Sequence, residues 1–177
     1  GDEVDTGEGR FSFFRADGLA PVPDGAEVRP IGVEQSNSSV VIDDRLVLKM
    51  FRKLEPGINP ELEMLRFLTA RDFPNIAPLH GWYEYDGASL AATLGVAQQF
   101  FSDATGGWEL ALDKIASDPE WFLDQLASLG EVTAQMHTVL ASDAGDSAFA
   151  PEEPSQEALS LLTATVDEDI ERIFLRM

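Results

Sequence analysis

Three groups of residues in this 177-residue chain have the types and spacing that phosphoryl transfer demands. A small polar turn, Glu34-Gln35-Ser36-Asn37-Ser38-Ser39, separates two apolar runs, and Lys49 interrupts the second of them, Leu46-Val47-Leu48-Lys49-Met50-Phe51. Ten residues beyond Lys49, Asn59-Pro60-Glu61-Leu62-Glu63 opens a helix with carboxylates. Moving a phosphoryl group off a nucleoside triphosphate needs backbone N–H groups around the phosphates, a cation against the α and β phosphates, and a carboxylate that holds the cation in place. Small hydroxyl and amide side chains leave backbone N–H groups reachable and add donors. Gln35, Ser36, Asn37, Ser38, Ser39 and Lys49 are therefore the candidate phosphate-binding residues. Glu61 and Glu63, on different faces of one helix, are the candidate partners of Lys49.

The same residues have structural readings. A strand lysine between apolar neighbours can snorkel outward from a sheet surface. A turn of Ser and Asn is an ordinary hairpin connection, and acids in a first helical turn complement the helix dipole without any catalytic part.

The elements that must position these groups are strands first and helices after. Arg10–Ala16 alternates aromatic and polar residues as an edge strand does, and the two prolines within residues 18–25 mark a loop. Val28–Glu34 and Ser39–Asp43 read as short strands, with Asp43-Asp44 as a two-residue turn into a strand over Arg45–Phe51. After the Pro56-Gly57 break, Asn59 is a good N-cap and Pro60 a good first helical residue. Leu62, Leu65, Phe67 and Leu68 give that helix an apolar face and carry it to about Arg71. Leu79–Tyr85 and Ser89–Phe101 form a further hairpin across Asp86-Gly87. Beyond Gly106-Gly107 the spacing turns helical over Trp108–Ala116, Pro119–Leu140 and Ser155–Phe174. This is α+β order. Residues 1–9 read as a disordered N-terminus, 10–103 as the sheet-bearing lobe and 104–177 as a helical segment.

Composition bounds the function classes. With 44% hydrophobic residues the chain can bury a core. It has no cysteine and two histidines, His80 and His137, so neither a thiolate nor a histidine metal cluster is expected. A net charge of −20 repels nucleic-acid phosphates. No run approaches the roughly 20 apolar residues of a bilayer span. No nucleic acid, no membrane and a cytoplasmic location are the expectations. Nine of the 12 Lys and Arg lie at or before Arg71, whereas the acids divide 16 and 16 about the middle of the chain. An acidic envelope with one basic island suits a local polyanion site, and equally a solvated surface with scattered ion pairs.

These motifs carry a resemblance. Gly32–Leu68 resembles the actinobacterial maltokinases, including those fused to trehalose synthase, which have a similar E-Q-S-N-T-S-V turn, an I-L-K-x-F-R-R strand and a G-x-N-P-[DE]-x-E helix start. Here these stand as Glu34–Val40, Leu48–Lys53 and Gly57–Glu63. The resemblance extends through Pro78-Leu79-His80-Gly81, Gln99-Phe100, Gly107-Trp108 and Leu129–His137 to cover roughly residues 10–175.

The resemblance implies an aminoglycoside-phosphotransferase-like kinase that moves the γ-phosphate of ATP to maltose. It implies a protein-kinase-like N-lobe, a twisted, mainly antiparallel sheet with one packed helix, followed by helices that begin the second lobe. Ser36–Ser39 would cover the phosphates and Lys49 bind them. Glu63, ahead of Glu61, would pair with Lys49, and Gln98, Gln99, Phe100 and Phe101 would line the adenine-side hinge. Another small-molecule kinase, acting on glucosamine or an aminoglycoside, is the alternative within the class. A non-catalytic interaction module is the alternative outside it.

The family's H-G-D-x-H-x-x-Q loop and D-F-E segment do not occur in this sequence. No catalytic residue or metal ligand is thus expected among these residues, and the fragment is expected to be inactive alone. ATP is the expected cofactor, with Mg²⁺ only in the intact enzyme. His137 is expected to pack or cap its helix. Leu126, Leu129, Val132, Met136 and Leu140 are expected to form an apolar face for a missing C-lobe or a fused trehalose synthase, through which the chain could self-associate.

Overall fold

The structure, a computed structural model, describes residues 1–16, 21–32 and 37–175. The chain forms two compact units, Gly1–Leu140 and Ala141–Met177.

In the first unit the strands run β1 (Asp2–Asp5), β2 (Gly9–Arg15), β3 (Val28–Pro30), β4 (Asn37–Ile42) and β5 (Leu46–Phe51). Helix α1 (Pro60–Thr69) follows, then β6 (Leu79–Gly87), β7 (Leu90–Gln99), α2 (Gly107–Ser117) and α3 (Pro119–Leu140). Among the described residues the seven strands form one sheet in the order β1-β2-β6-β7-β5-β4-β3, with every neighbouring pair antiparallel. The chain leaves β5, crosses through α1 and returns on β6 with β7 between them. The mixed α+β expectation holds.

Two local expectations change. Residues 2–5, read as part of a disordered end, pair along β2 in a hairpin that also uses Arg10, which donates to Asp5 at 3.2 Å and Glu3 at 3.1 Å. Strand β2 is consequently an inner strand. Its aromatic residues pair with rings of β6, Phe11 with Tyr85 and Phe13 with Tyr83 on one face and Phe14 with Trp82 on the other, at 5.0, 5.9 and 4.8 Å between centroids. The β4–β5 connection is three residues long, since Ile42 pairs with Leu46 and Arg45 N–H donates to the Ile42 carbonyl. Asp43 and Asp44 both take positive φ, 54° and 47°, a conformation Asp tolerates better than most side chains.

The core lies between the sheet and α1. Leu62, Leu65, Leu79 and Val96 form its centre, with Phe51, Ile76 and Trp82 packed around it. Leu62, Val41 and Val96 are the largest fully buried side chains, each worth about 1.5–3 kcal/mol of removal from water. Arg66 extends the packing by laying its guanidinium over the Trp82 ring, 5.0 Å from its centroid.

By contrast, α2 and α3 bury no residue. Leu126 and Leu129 are exposed, and Val132, Met136 and Leu140 only half-buried. His137, expected to pack or cap its helix, is exposed in the last turn of α3, where a basic group suits the negative end of the helix dipole.

The second unit contains α4 (Gln156–Phe174), capped by Ser155, whose hydroxyl accepts from Ala158 N–H. It too buries no residue. No helix among the described residues is long and apolar enough to cross a membrane.

Candidate functional site

The register of β3, β4, β5 and β7 decides which side chains share a face, because directly opposed residues of an antiparallel ladder project to the same side. One row runs Arg29, Val41, Val47 and Gln98, and the next runs Ser39, Lys49 and Val96. Val96 packs on Leu62 and Leu65 of α1, so both rows lie on the α1 face of the sheet.

Lys49 is drawn to that face by a carboxylate. Its Nζ donates to Glu61 Oε1 at 3.0 Å and Oε2 at 2.9 Å, and the two side chains are 26% and 34% exposed. Three features place Glu61 there. The Pro56-Gly57 break lets the chain run beside β7, with Gly57 at φ +94°, its N–H donating to the Ala91 carbonyl and its carbonyl accepting from Thr93 N–H. Asn59 then donates its own N–H to the buried Thr93 hydroxyl at 3.1 Å. Finally the Asn59 side chain accepts from Glu61 N–H at 2.9 Å, which caps the helix on the residue that holds the lysine. Pro60 at the first helical position costs no hydrogen bond.

Glu63, the preferred partner from the motif resemblance, does not take this position. It sits about 200° further round the helix than Glu61, and Lys49 meets Glu61 instead. Glu61 shares its side of the helix with Leu65, one turn on and buried in the core against the sheet that carries Lys49.

Of the polar residues expected around the phosphates, Gln35 and Ser36 lie outside the described residues. Asn37, Ser38 and Ser39 belong to β4. Asn37 and Ser39 pair with Phe51 and Lys49 and face α1, whereas Ser38 pairs with Met50 and faces the other side. The sheet thus brings Ser39, Asn37 and Lys49 together and turns Ser38 away.

Of the residues expected at the hinge, Gln98 and Gln99 end β7, paired with Val47 and Leu46, and Phe100 and Phe101 follow it. Gln98 donates its side-chain N–H to the Ala77 carbonyl at 2.9 Å, Gln99 N–H donates to the Pro78 carbonyl at 3.2 Å, and Phe100 N–H to the Arg45 carbonyl at 2.8 Å. Phe101 is exposed. Phe100 also meets Arg29, whose guanidinium lies 5.2 Å from the ring centroid and donates through Nε and Nη2 to Asp44 Oδ1 at 3.2 and 2.5 Å. Sequence reasoning missed Arg29 and Asp44. The one signal available was the Asp-Asp turn, which joins β4 to β5 and supplies the carboxylate that Arg29 meets.

The face therefore has two charged stations, Lys49 with Glu61 beside α1 and Arg29 with Asp44 at the far edge, joined by an apolar floor whose accessible part is Val47, Val41 being fully buried. Lys49 is suited to two negatively charged oxygens, and Phe100 and the floor to a flat apolar group. A hollow of about 420 Å³ lined by Gly1, Asp2, Phe13, Phe14, Arg15 and His80 lies towards the opposite edge. Among the described residues no group of three or more His, Cys, Asp or Glu side chains is placed to hold a metal ion.

No family model matches this chain. It is similar to the glucosamine kinase of Mycolicibacterium smegmatis, with 27% identity over 123 residues, 66% of this chain and 31% of that protein. Three solved structures of glucosamine kinase resemble the fold, each over 75% of this chain and 32% of theirs. Crystal form B gives a TM-score of 0.57 at 26% identity, and the complex with glucosamine, ADP and inorganic phosphate gives 0.58 at 26%. Crystal form A, at 0.59 and 23% identity, supports the fold alone. This chain spans about a third of the length of these relatives. It is homologous, at low identity, to glucosamine kinase, a kinase of the phosphotransferase type.

Proposed function

We propose that this chain is the nucleotide-gripping lobe of an ATP-dependent small-molecule kinase. The observation that carries the proposal is the Lys49–Glu61 pair on the α1 face of an antiparallel sheet, next to a floor that leads to Phe100. Lys49 neutralises charge on the α and β phosphates, Glu61 keeps its ammonium from swinging outward, and the half-buried Phe100 side of the face takes the base. In the transfer itself the bond from the γ-phosphorus to the bridging oxygen breaks. ADP leaves with those electrons, the acceptor oxygen takes the phosphorus, and its proton goes to a base. The described residues supply the grip on the leaving group.

Glucosamine is the acceptor to try first, on the strength of the similarity to glucosamine kinase. Maltose is the second reading, favoured by the Glu34–Val40 and Gly57–Glu63 motifs. An acceptor assay belongs to the natural protein that carries this chain, with phosphate transfer from ATP to each sugar measured side by side. Transfer to neither sugar removes both acceptors.

The nucleotide grip can be tested on the chain itself. ATP at 100 times its Kd should stabilise it by about 2.7 kcal/mol, a rise in Tm of roughly 5–10 °C. Lys49→Ala should abolish the rise while leaving the unliganded protein folded. A wild-type chain with no rise, or a Lys49→Ala variant that keeps it, would remove the proposal and favour an interaction module.

A further inference from the structure

Resting on the nucleotide reading above, we propose that Arg29 is a base-stacking residue: its guanidinium plane, set over the Phe100 ring by Asp44, closes the base end of the nucleotide site while Lys49 holds the phosphate end.

The placement of Arg29 follows from register. It pairs with Val41, which pairs with Val47, which pairs with Gln98, so Arg29 projects to the face that carries Lys49 and Glu61. Within that row Arg29 is the outermost residue, on the sheet's last strand, and Phe100 leaves β7 two residues after Gln98. The two side chains meet across the floor, with the guanidinium carbon 5.2 Å from the ring centroid. A polyanion site alone would not require this arrangement. A guanidinium meant for phosphate would present its fork of donors, but here Nε and Nη2 both turn to one oxygen of Asp44. The plane is thereby left to stack, as Arg does on aromatic faces and Lys does not.

The charge balance agrees. Arg29 is compensated locally by Asp44, as Lys49 is by Glu61. The two cations stand in neighbouring rows of that face: Arg29 belongs to the Val41 row and Lys49 to the Ser39 row next to it. A base beside the half-buried Val47 can lie against the guanidinium and the Phe100 ring while its phosphates run towards Lys49. Arg29 is partly exposed and on an edge strand whose residues are all exposed, so changing it leaves the core untouched.

The experiment compares two ligands on the same chain in the presence of magnesium: ATP, which has a base, and inorganic tripolyphosphate, which has none. Calorimetric Kd values are measured for wild type, Arg29→Ala, Arg29→Lys and Lys49→Ala, with the unliganded Tm of each as the folding control. Arg29→Ala should weaken ATP by about fivefold or more and leave tripolyphosphate unchanged. Arg29→Lys should recover less than half of that loss, and Lys49→Ala should weaken both ligands. An Arg29→Ala variant that binds ATP as wild type does, or loses both ligands equally, overturns the stacking role while leaving the nucleotide reading intact. So does an Arg29→Lys variant with full ATP affinity, since charge alone would then suffice. If wild type binds neither ligand, the nucleotide reading falls and this inference falls with it.

Discussion

The sheet with α1 and the helices α2 and α3 belong to one compact unit, yet they are held by different means. The sheet and α1 enclose Val41, Leu62 and Val96 with no residual exposure, and a buried threonine hydroxyl on β7 fixes the loop that enters α1. The α2 and α3 helices bury nothing, and leave Trp108 75%, Leu123 63% and Leu129 60% exposed. Burial is concentrated where a side chain has to be aimed. The Lys49–Glu61 pair works only if both ends are kept within hydrogen-bond reach, and the packed half of the unit is the half that can do so.

That contrast can be broken most sharply by core deletion. Leu62→Ala should destabilise the chain by about 2–5 kcal/mol, read as a fall in the midpoint of chemical unfolding, because Leu62 is fully buried in the centre of the core. Removing the cap is a smaller and more directed perturbation. Asn59→Ala should cost about 1 kcal/mol and, by loosening the first turn of α1, should weaken ATP binding more than its stability cost alone predicts. Equal ATP affinity in that variant would show that Glu61 is placed without the cap.

The next effect depends on pH. Burial pushes the Tyr83 phenol up from its ordinary value. A raised acid favours the neutral form in the folded state, so the stability it contributes is present below the unfolded tyrosine pKa near 10 and is lost as pH rises through the folded value. Tyr83→Phe should flatten the alkaline fall in stability while leaving neutral-pH stability nearly unchanged. The smallest effect is expected on α3, where Leu129→Ala should change stability by no more than about 0.5 kcal/mol. A larger loss, or a wild-type chain that sediments as a dimer, would show that the exposed helical face is covered in solution by another copy.

Much of the sheet was legible because its signals are local. The apolar runs at Leu46–Phe51 and Leu79–Tyr85, the Asp86-Gly87 turn and the Asn59-Pro60 helix start each describe their own geometry within a few residues. The choice between Glu61 and Glu63 was not local. It depends on the roll of α1 against the sheet, which Leu62, Leu65 and Val96 settle together from distant parts of the chain. The pairing of residues 2–5 was illegible for a similar reason. An all-exposed acidic strand has no apolar alternation, and only its ladder with β2 and the Arg10 contacts to Glu3 and Asp5 reveal it. Arg29 gave no sign in sequence, since an arginine before a proline on a short strand is unremarkable until the register places Phe100 beside it.

The three hydrogen bonds at the end of β7 have a mechanical meaning. Gln98, Gln99 and Phe100 are tied to Ala77, Pro78 and Arg45, which belong to two separate connections of the sheet. The strand is thus clamped from both sides up to its last residue, and the first backbone torsions not so clamped are those of Phe101 and the residues after it. Bending of the following chain relative to the sheet would pivot there, as a lever pivots at the edge of its mount, and would leave the Phe100 ring and the Arg29 plane in register. Hydrogen exchange would show it as slow amides at Gln99 and Phe100 next to fast ones at Ser102 and Asp103.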